Sequence, residues 1–442
     1  MINWLLTHTP LLYFTQSIWR DEAFSIFVAQ RPLSFIFTSL GFEPPLYYAL
    51  LHFWVKIFGT GEIAARSLSL LGFSLATVIV ILWSEKLFKT TWLQIVVPIL
   101  FFFNPMLLYY AFEVRTYGWY ILFAVLSMYS YFNKKWLWYV LSSVLGFYTH
   151  VYLAFFLLAN AVHWVITTKF FKKFSFKKFL RDPMVRSSAA IGVLALPWIY
   201  KIIHESSRLK SSWYFPVDLQ LVWSGLGNMF LGYEGTPWHL WDDTARLSAV
   251  LLAAVAIALF SSATRKRAFY FVLFGLLPLA LVIGVSFIKP LFVNRYLIPA
   301  TCALVFIVGM AIESLSKRPV IQRTLAALAI GGILLFNLWY PDKHAKLAIR
   351  DTLTQINMLK NSDDVVLAAS PLIFFESIYY STDPERVFLY NPDGTTFPWY
   401  VGDAIVTPSQ MVREFPPDPI RAFLVQEDGT FEIVYNMGEV RP

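Results

Sequence analysis

Cysteine is almost missing from this chain. Its 442 residues hold one, Cys302, inside an apolar run. No intrachain disulfide can form, and no cysteine-based metal site is on offer. Charge is scarce too: 14% of residues carry one, against about 25% in soluble domains. No glycine-rich phosphate loop, internal repeat or low-complexity tract is visible. The missing repeat counts against the usual architecture of secondary transporters. No small-residue cleavage site follows the first apolar stretch, so a removable signal peptide is not expected. That stretch, the residues before Arg20 with His8 and Pro10 among them, reads as a short first span; a truncated start is the alternative.

What is present is apolar. Hydrophobic residues make up 57% of the chain and aromatic residues 18%. Several runs approach ~20 residues without a charge, enough to cross ~30 Å of hydrocarbon; 269–288 and 324–340 are the cleanest. The expected fold is a polytopic α-helical membrane protein with much interfacial aromatic surface.

The net charge of +8 does not imply nucleic-acid binding. Basic residues cluster in short loops at Lys86 and Lys89, at Lys134 and Lys135, from Lys169 to Arg181, at Arg265–Arg267, and from Lys317 to Arg323. Placing every cluster in the cytoplasm gives a self-consistent topology of about 11 spans. The segments 19–62, 104–117, 148–150, 205–244, 289–295 and everything after 341 then face outward, and every polar motif below falls on that face. The apolar stretch 45–58 is short for a crossing. With 23–30 it reads as an interfacial helix in the first outer loop. After Tyr340 the composition changes. Alternating strand and helix signals (364–369, 372–381, 387–390, 422–426) predict a small extracytoplasmic α/β domain over 341–442, following a transmembrane domain over 1–340.

Four carboxylates and two arginines stand out. Asp21 and Glu22 follow the first apolar stretch, where unpaired charge is costly. An ionised Asp can take a proton from an acceptor hydroxyl within hydrogen-bond reach; the structural alternative is that Asp21 caps the helix 23–30. Glu43 precedes Pro44-Pro45, which fix its direction. It could orient a sugar hydroxyl, bind a divalent metal with Asp21 and Glu22, or favour a helix start. Glu113 and Arg115 sit among tyrosines at an outer helix end, where an Arg can grip a phosphate with its planar fork. Arg295-Tyr296 opens a span from outside, against the positive-inside bias. His150 lies in a polar break, Tyr148-Thr149-His150. Lys201, His204, Tyr233, Glu234 and His239 lie in or beside the long outer loop and carry no distinguishing pattern.

In order, Asp21-Glu22-Ala23-Phe24-Ser25, Pro44-Pro45-Leu46-Tyr47-Tyr48, Glu113-Val114-Arg115-Thr116-Tyr117, Tyr148-Thr149-His150 and Arg295-Tyr296-Leu297 resemble the GT-C glycosyltransferases. They are closest in pattern to the branch related to glycosyltransferase family 39, with its protein O-mannosyltransferases and its aminoarabinose transferases of lipid A. The resemblance implies an inverting transferase in the plasma membrane with its active site outside. It implies a polyprenyl- or dolichyl-phosphate sugar donor and a protein, lipid or glycan acceptor. By the same resemblance Asp21 is the base, with Glu22 in support; Arg115, Glu113, Arg295, Tyr296, Glu43 and His150 would bind donor phosphate or sugar. Many relatives have Asp-x-His-Pro-Pro where this chain has Gly41-Phe42-Glu43-Pro44-Pro45. A transporter or flippase of lipid-linked saccharides, or a polysaccharide ligase or polymerase, is the rival reading.

Overall fold

The computed structural model describes residues 2–170, 175–205, 217–231 and 240–436. Among these, six helices are long and apolar enough to cross a bilayer: Glu62–Leu87, Pro183–Glu205, Trp241–Phe260, Arg265–Ser286, Asn294–Ser314 and Pro319–Trp339. The pair Leu93–Phe102 and Pro105–Ala111 makes a seventh if it is one span bent by 53°. The bend has a local cause. Asn104 caps the second helix, its side chain accepting from Leu107 N–H at 3.1 Å, and Pro105 starts that helix where its missing N–H costs nothing. The other segments expected to cross form shorter helices: Tyr117–Phe132, Trp136–Phe147 and Leu153–Thr167, with the first stretch split into Ile2–His8 and Leu11–Thr15 around Pro10.

Burial separates the inside of the bundle from its lipid face. In Asn294–Ser314, 89% of the apolar window is buried, against 17% in Pro319–Trp339. The latter exposes Leu328 and Leu335, and Pro183–Glu205 exposes Val193 and Leu196. Apolar surface on this scale is at home in hydrocarbon, where helices must satisfy their own backbone. The chain is an integral membrane protein.

The segment 19–62 carries helices Arg20–Gln30, Leu33–Thr38 and Pro45–Phe58. The last of these buries Tyr47, Tyr48, Leu51, His52 and Val55 and exposes Phe53, Ile57 and Phe58, the two-faced pattern of an interfacial helix.

The chain after Tyr340 builds helices Ile349–Leu359 and Pro371–Tyr380 and a sheet of strands β1 (Val365–Ala368), β2 (Val387–Tyr390), β3 (Met411–Val412), β4 (Ala422–Val425) and β5 (Phe431–Val434). The order is β3-β2-β1-β4-β5. All neighbours are parallel except β4 and β5. Composition changes at 340, but the apolar core does not stop there. Ile349, Leu353, Ile373, Phe374 and Phe375 share one cluster with Ile18, Phe24, Tyr47, Tyr48 and Leu51. The α/β layer is therefore docked on the helix that carries Asp21.

Candidate active site

Asp21 is the second residue of Arg20–Gln30, whose N-cap is Trp19. The capping alternative thus belongs to Glu22, not Asp21: the Glu22 carboxylate accepts the Trp19 N–H at 3.3 Å. The Arg20 N–H donates to Glu376 Oε1 at 2.8 Å. Asp21 Oδ1 takes the Arg20 side chain at 3.0 Å, and Oδ2 lies 3.8 Å from both Arg115 Nη2 and Arg295 Nη2. The last two contacts are too long for hydrogen bonds, so these guanidinium groups act on Asp21 through charge. Burial raises the Asp21 pKa, but Arg115, Arg20 and Arg295 outweigh it and hold the carboxyl well below the usual range. Glu43 Oε1 is 3.8 Å from the same Arg115 nitrogen, and its other oxygen accepts from Tyr48 Oη at 2.9 Å.

These groups line a cavity of about 310 Å³. Asp21, Arg115 and Arg295 face it with Arg20, Thr116 and Tyr117. One wall is aromatic. His150 stacks on Tyr120 at 4.6 Å and lies 4.8 Å from Tyr296, and Tyr152 Oη donates to the Leu291 carbonyl at 2.7 Å. Burial, with help from Arg115 and Arg295, pushes the His150 pKa down to about 3. The ring is neutral near pH 7 and polar without adding a further cation. The opposite wall comes from Leu40–Pro44 and from Trp399–Ala404 of the C-terminal layer.

Glu22 and Glu113, expected at the chemistry, are not among the cavity residues. Glu22 is fully buried and held by Arg66 through two bonds of 2.8 and 2.7 Å, by Lys346 at 3.1 Å and by the Val114 N–H at 2.9 Å. Arg66, itself fully buried, also donates to the carbonyls of Phe14, Gln16 and Ser17. Lys346 reaches Glu113 at 2.9 Å. Burial raises the Glu113 pKa, and Lys346 only partly offsets it. Glu22 stays ionised because Arg66 and Lys346 outweigh its burial. This network stands behind the Arg115 turn. The Val114 N–H is fixed by Glu22, and the Arg115 carbonyl accepts from Ser69 Oγ at 2.9 Å, itself bonded to Tyr47 Oη at 2.9 Å. Gly118 lets the turn sit this close: a Cβ there would stand 2.0 Å from the Ser69 carbonyl oxygen.

The grouping of Asp21, Glu22 and Glu43 that one of the three readings of Glu43 would place around a metal does not form. Glu22 is turned to Arg66, and Arg115 lies between the other two. Among the described residues no cluster of three His, Cys, Asp or Glu side chains is placed to hold a metal ion. Lys201 donates to the Thr38 carbonyl at 3.2 Å, and neither it nor His204 lines the cavity. Tyr233, Glu234 and His239 lie outside the described residues. Sequence reasoning missed Arg66, Lys346 and the wall Trp399–Ala404. Arg66 carried a signal, being an ionisable residue inside an apolar run.

Glu376, also missed, is buried beneath this helix start. Its burial, against the Arg20 N–H and the Arg20 charge, pushes its pKa up to about 8. The folded state therefore holds a proton here that the unfolded state releases near pH 4.5, so the burial costs stability increasingly as pH rises from there to 8. Glu376→Gln, which mimics the protonated acid, is expected to stabilise the protein at pH 8 by on the order of a few kcal/mol and to change little at pH 4.5. Thermal unfolding at the two pH values is the check, and an equal effect at both would contradict it.

No family model and no curated protein sequence matches the chain. Its fold does have counterparts. In particular the chain is similar to the crystal structure of ArnT from Cupriavidus metallidurans in the apo state, with a TM-score of 0.62 at 11% identity, covering 96% of this chain and 91% of that one. The structure of the same ArnT bound to undecaprenyl phosphate gives a TM-score of 0.60 at 12% identity with the same coverage. The resemblance read from the motifs thus has a counterpart in three dimensions.

Proposed function

We propose that this chain is an inverting glycosyltransferase moving a sugar from a polyprenyl-phosphate donor to an acceptor hydroxyl outside the plasma membrane. The carrying observation is that Arg115 and Arg295, two guanidinium groups on the cavity wall, converge on one carboxylate, Asp21. The likeness to an ArnT structure that holds undecaprenyl phosphate supports a lipid-phosphate ligand here.

The electrostatics suggest the order of events. With three arginines around it Asp21 is a poor base, since general bases work best with a pKa near the working pH. A donor phosphate between Arg115 and Arg295 would draw both toward itself, because charge-assisted bonds to phosphate are short and strong. Asp21 would keep only Arg20, and its proton affinity would rise. The acceptor O–H then gives its proton to Asp21 as the acceptor oxygen bonds to the anomeric carbon. The bond from that carbon to the phosphate oxygen breaks, and the charge left on the polyprenyl phosphate is stabilised by the two arginines. Neutral His150 and Tyr296 would pack against the sugar or phosphate. Glu22 and Glu113 act indirectly, by holding the Arg115 turn.

The test is turnover of radiolabelled undecaprenyl-phosphate sugars in sealed vesicles of both orientations. Sugar transferred only when the outer face meets the acceptor supports the reading. Labelled donor that crosses the bilayer intact would indicate a flippase. Arg115→Lys and Arg295→Lys retain charge but lose the planar fork. Each is expected to raise the donor KM roughly tenfold, the equivalent of one charge-assisted bond. Wild-type KM in both would remove them from donor binding.

A further inference from the structure

The outer rim of the cavity is built from side chains that the chemistry above leaves unused. Three rings stand there, Phe42, Trp399 and Tyr400. Phe42 meets Trp399 edge-on at 5.7 Å, and Trp399 meets Tyr400 at 6.0 Å with the planes 84° apart. None of the three belongs to the apolar cores formed by the described residues. Phe42 and Trp399 are half-buried and Tyr400 is 42% exposed. Large, partly exposed rings lining a cavity and braced against one another offer rigid contact surface to a ligand.

The segment presenting them is firmly seated. Tight turns run through it, with the Val401 N–H on the Pro398 carbonyl at 3.0 Å and the Gly402 N–H on the Trp399 carbonyl at 3.2 Å. Val401 is buried. Gly402 has φ of +126°, and a Cβ there would stand 2.4 Å from the Phe24 ring, one helical turn beyond Asp21. The backbone conformation and the close approach both call for glycine. The rings are thereby fixed relative to Asp21. Beside them, Glu43 has a half-exposed carboxylate able to accept hydroxyl protons.

We propose that Phe42, Trp399 and Tyr400 form the acceptor subsite and that the acceptor is a carbohydrate, a reading that rests on the glycosyltransferase function above. The rings cover the C–H faces of a pyranose and Glu43 takes its hydroxyls, so that another hydroxyl of the same glycan reaches Asp21. An extended peptide is recognised mainly through its backbone along a strand edge, and among the described residues the rim holds no strand: it is made of helix ends and the turns 398–406.

Saturation-transfer NMR on the whole detergent-solubilised protein tests this without requiring turnover. The probes are mannotriose and, separately, a Ser/Thr-rich peptide. Wild type is expected to saturate the C–H protons of the trisaccharide. Trp399→Ala combined with Tyr400→Ala is expected to weaken the signal about tenfold at unchanged melting temperature, while Trp399→Phe with Tyr400→Phe retains most of it. Equal signals from wild type and the double alanine variant would overturn the subsite, as would saturation of the peptide alone. Trisaccharide binding by a protein that turns over no lipid-phosphate sugar would instead keep the subsite and sink the transferase.

Discussion

Asp21→Asn is expected to fold normally and to lose at least about 100-fold in kcat, the lower end of what a placed general base contributes. Folding is expected to survive because Asn keeps the size of Asp21 and can still accept from Arg20, and because the helix start does not depend on this side chain. Asp21 is not the N-cap, and the bond from Ser25 Oγ at 2.7 Å goes to the Asp21 backbone carbonyl. The arginines left behind keep other partners: Arg115 has Glu43 and Tyr48, and Arg20 is partly exposed. The donor KM separates catalysis from structure. Losing the Asp21 charge frees Arg115 and Arg295 for phosphate, so the donor KM should stay level or fall while kcat collapses. A damaged site would instead raise it. Near-normal kcat in a stable Asp21→Asn protein would leave Asp21 as a counter-ion for three arginines and nothing more.

The cavity was legible where its residues come from local motifs at helix ends. Asp21, Glu43, Arg115, His150, Arg295 and Tyr296 all sit in short polar breaks between apolar runs, and one cavity gathers them all. Glu22 was misread because adjacency in sequence says little about direction on a helix. Neighbouring residues point about 100° apart, which sends Asp21 to the cavity and Glu22 into the protein. Its partners could not be inferred at all: Arg66 lies 44 positions away and Lys346 lies 324. The span 324–340 could be read from hydropathy, but the broken pair at Asn104-Pro105 required knowing that a cap and a proline meet there. The docking of the α/β layer on Phe24 was invisible for a similar reason. It depends on apolar faces of Ile349–Leu359 and Pro371–Tyr380 whose partner the pattern does not name.

The buried network yields the second large effect, on stability rather than on rate. Glu22→Ala leaves Arg66 fully buried without its anion, and Lys346 with only Glu113. Removing one partner of a buried ion pair costs about 3–5 kcal/mol, because the remaining charge stays out of water. That is a large fraction of a total stability of about 5–15 kcal/mol. Glu22→Ala and Arg66→Ala are each expected to lower the melting temperature sharply or to prevent accumulation of folded protein. Glu22→Met with Arg66→Met removes both charges from the same space and should recover much of the loss, since an apolar pair of similar volume can replace a buried ion pair. The rescue should not extend to activity. Methionine cannot accept the Val114 N–H, now held at 2.9 Å, so the Arg115 turn would lose one of its two fixed points and donor binding would weaken in a stable protein. Single variants that melt like wild type would mean that water reaches this cluster, and a rescued double variant with full donor affinity would mean that the Arg115 turn holds its shape without Glu22.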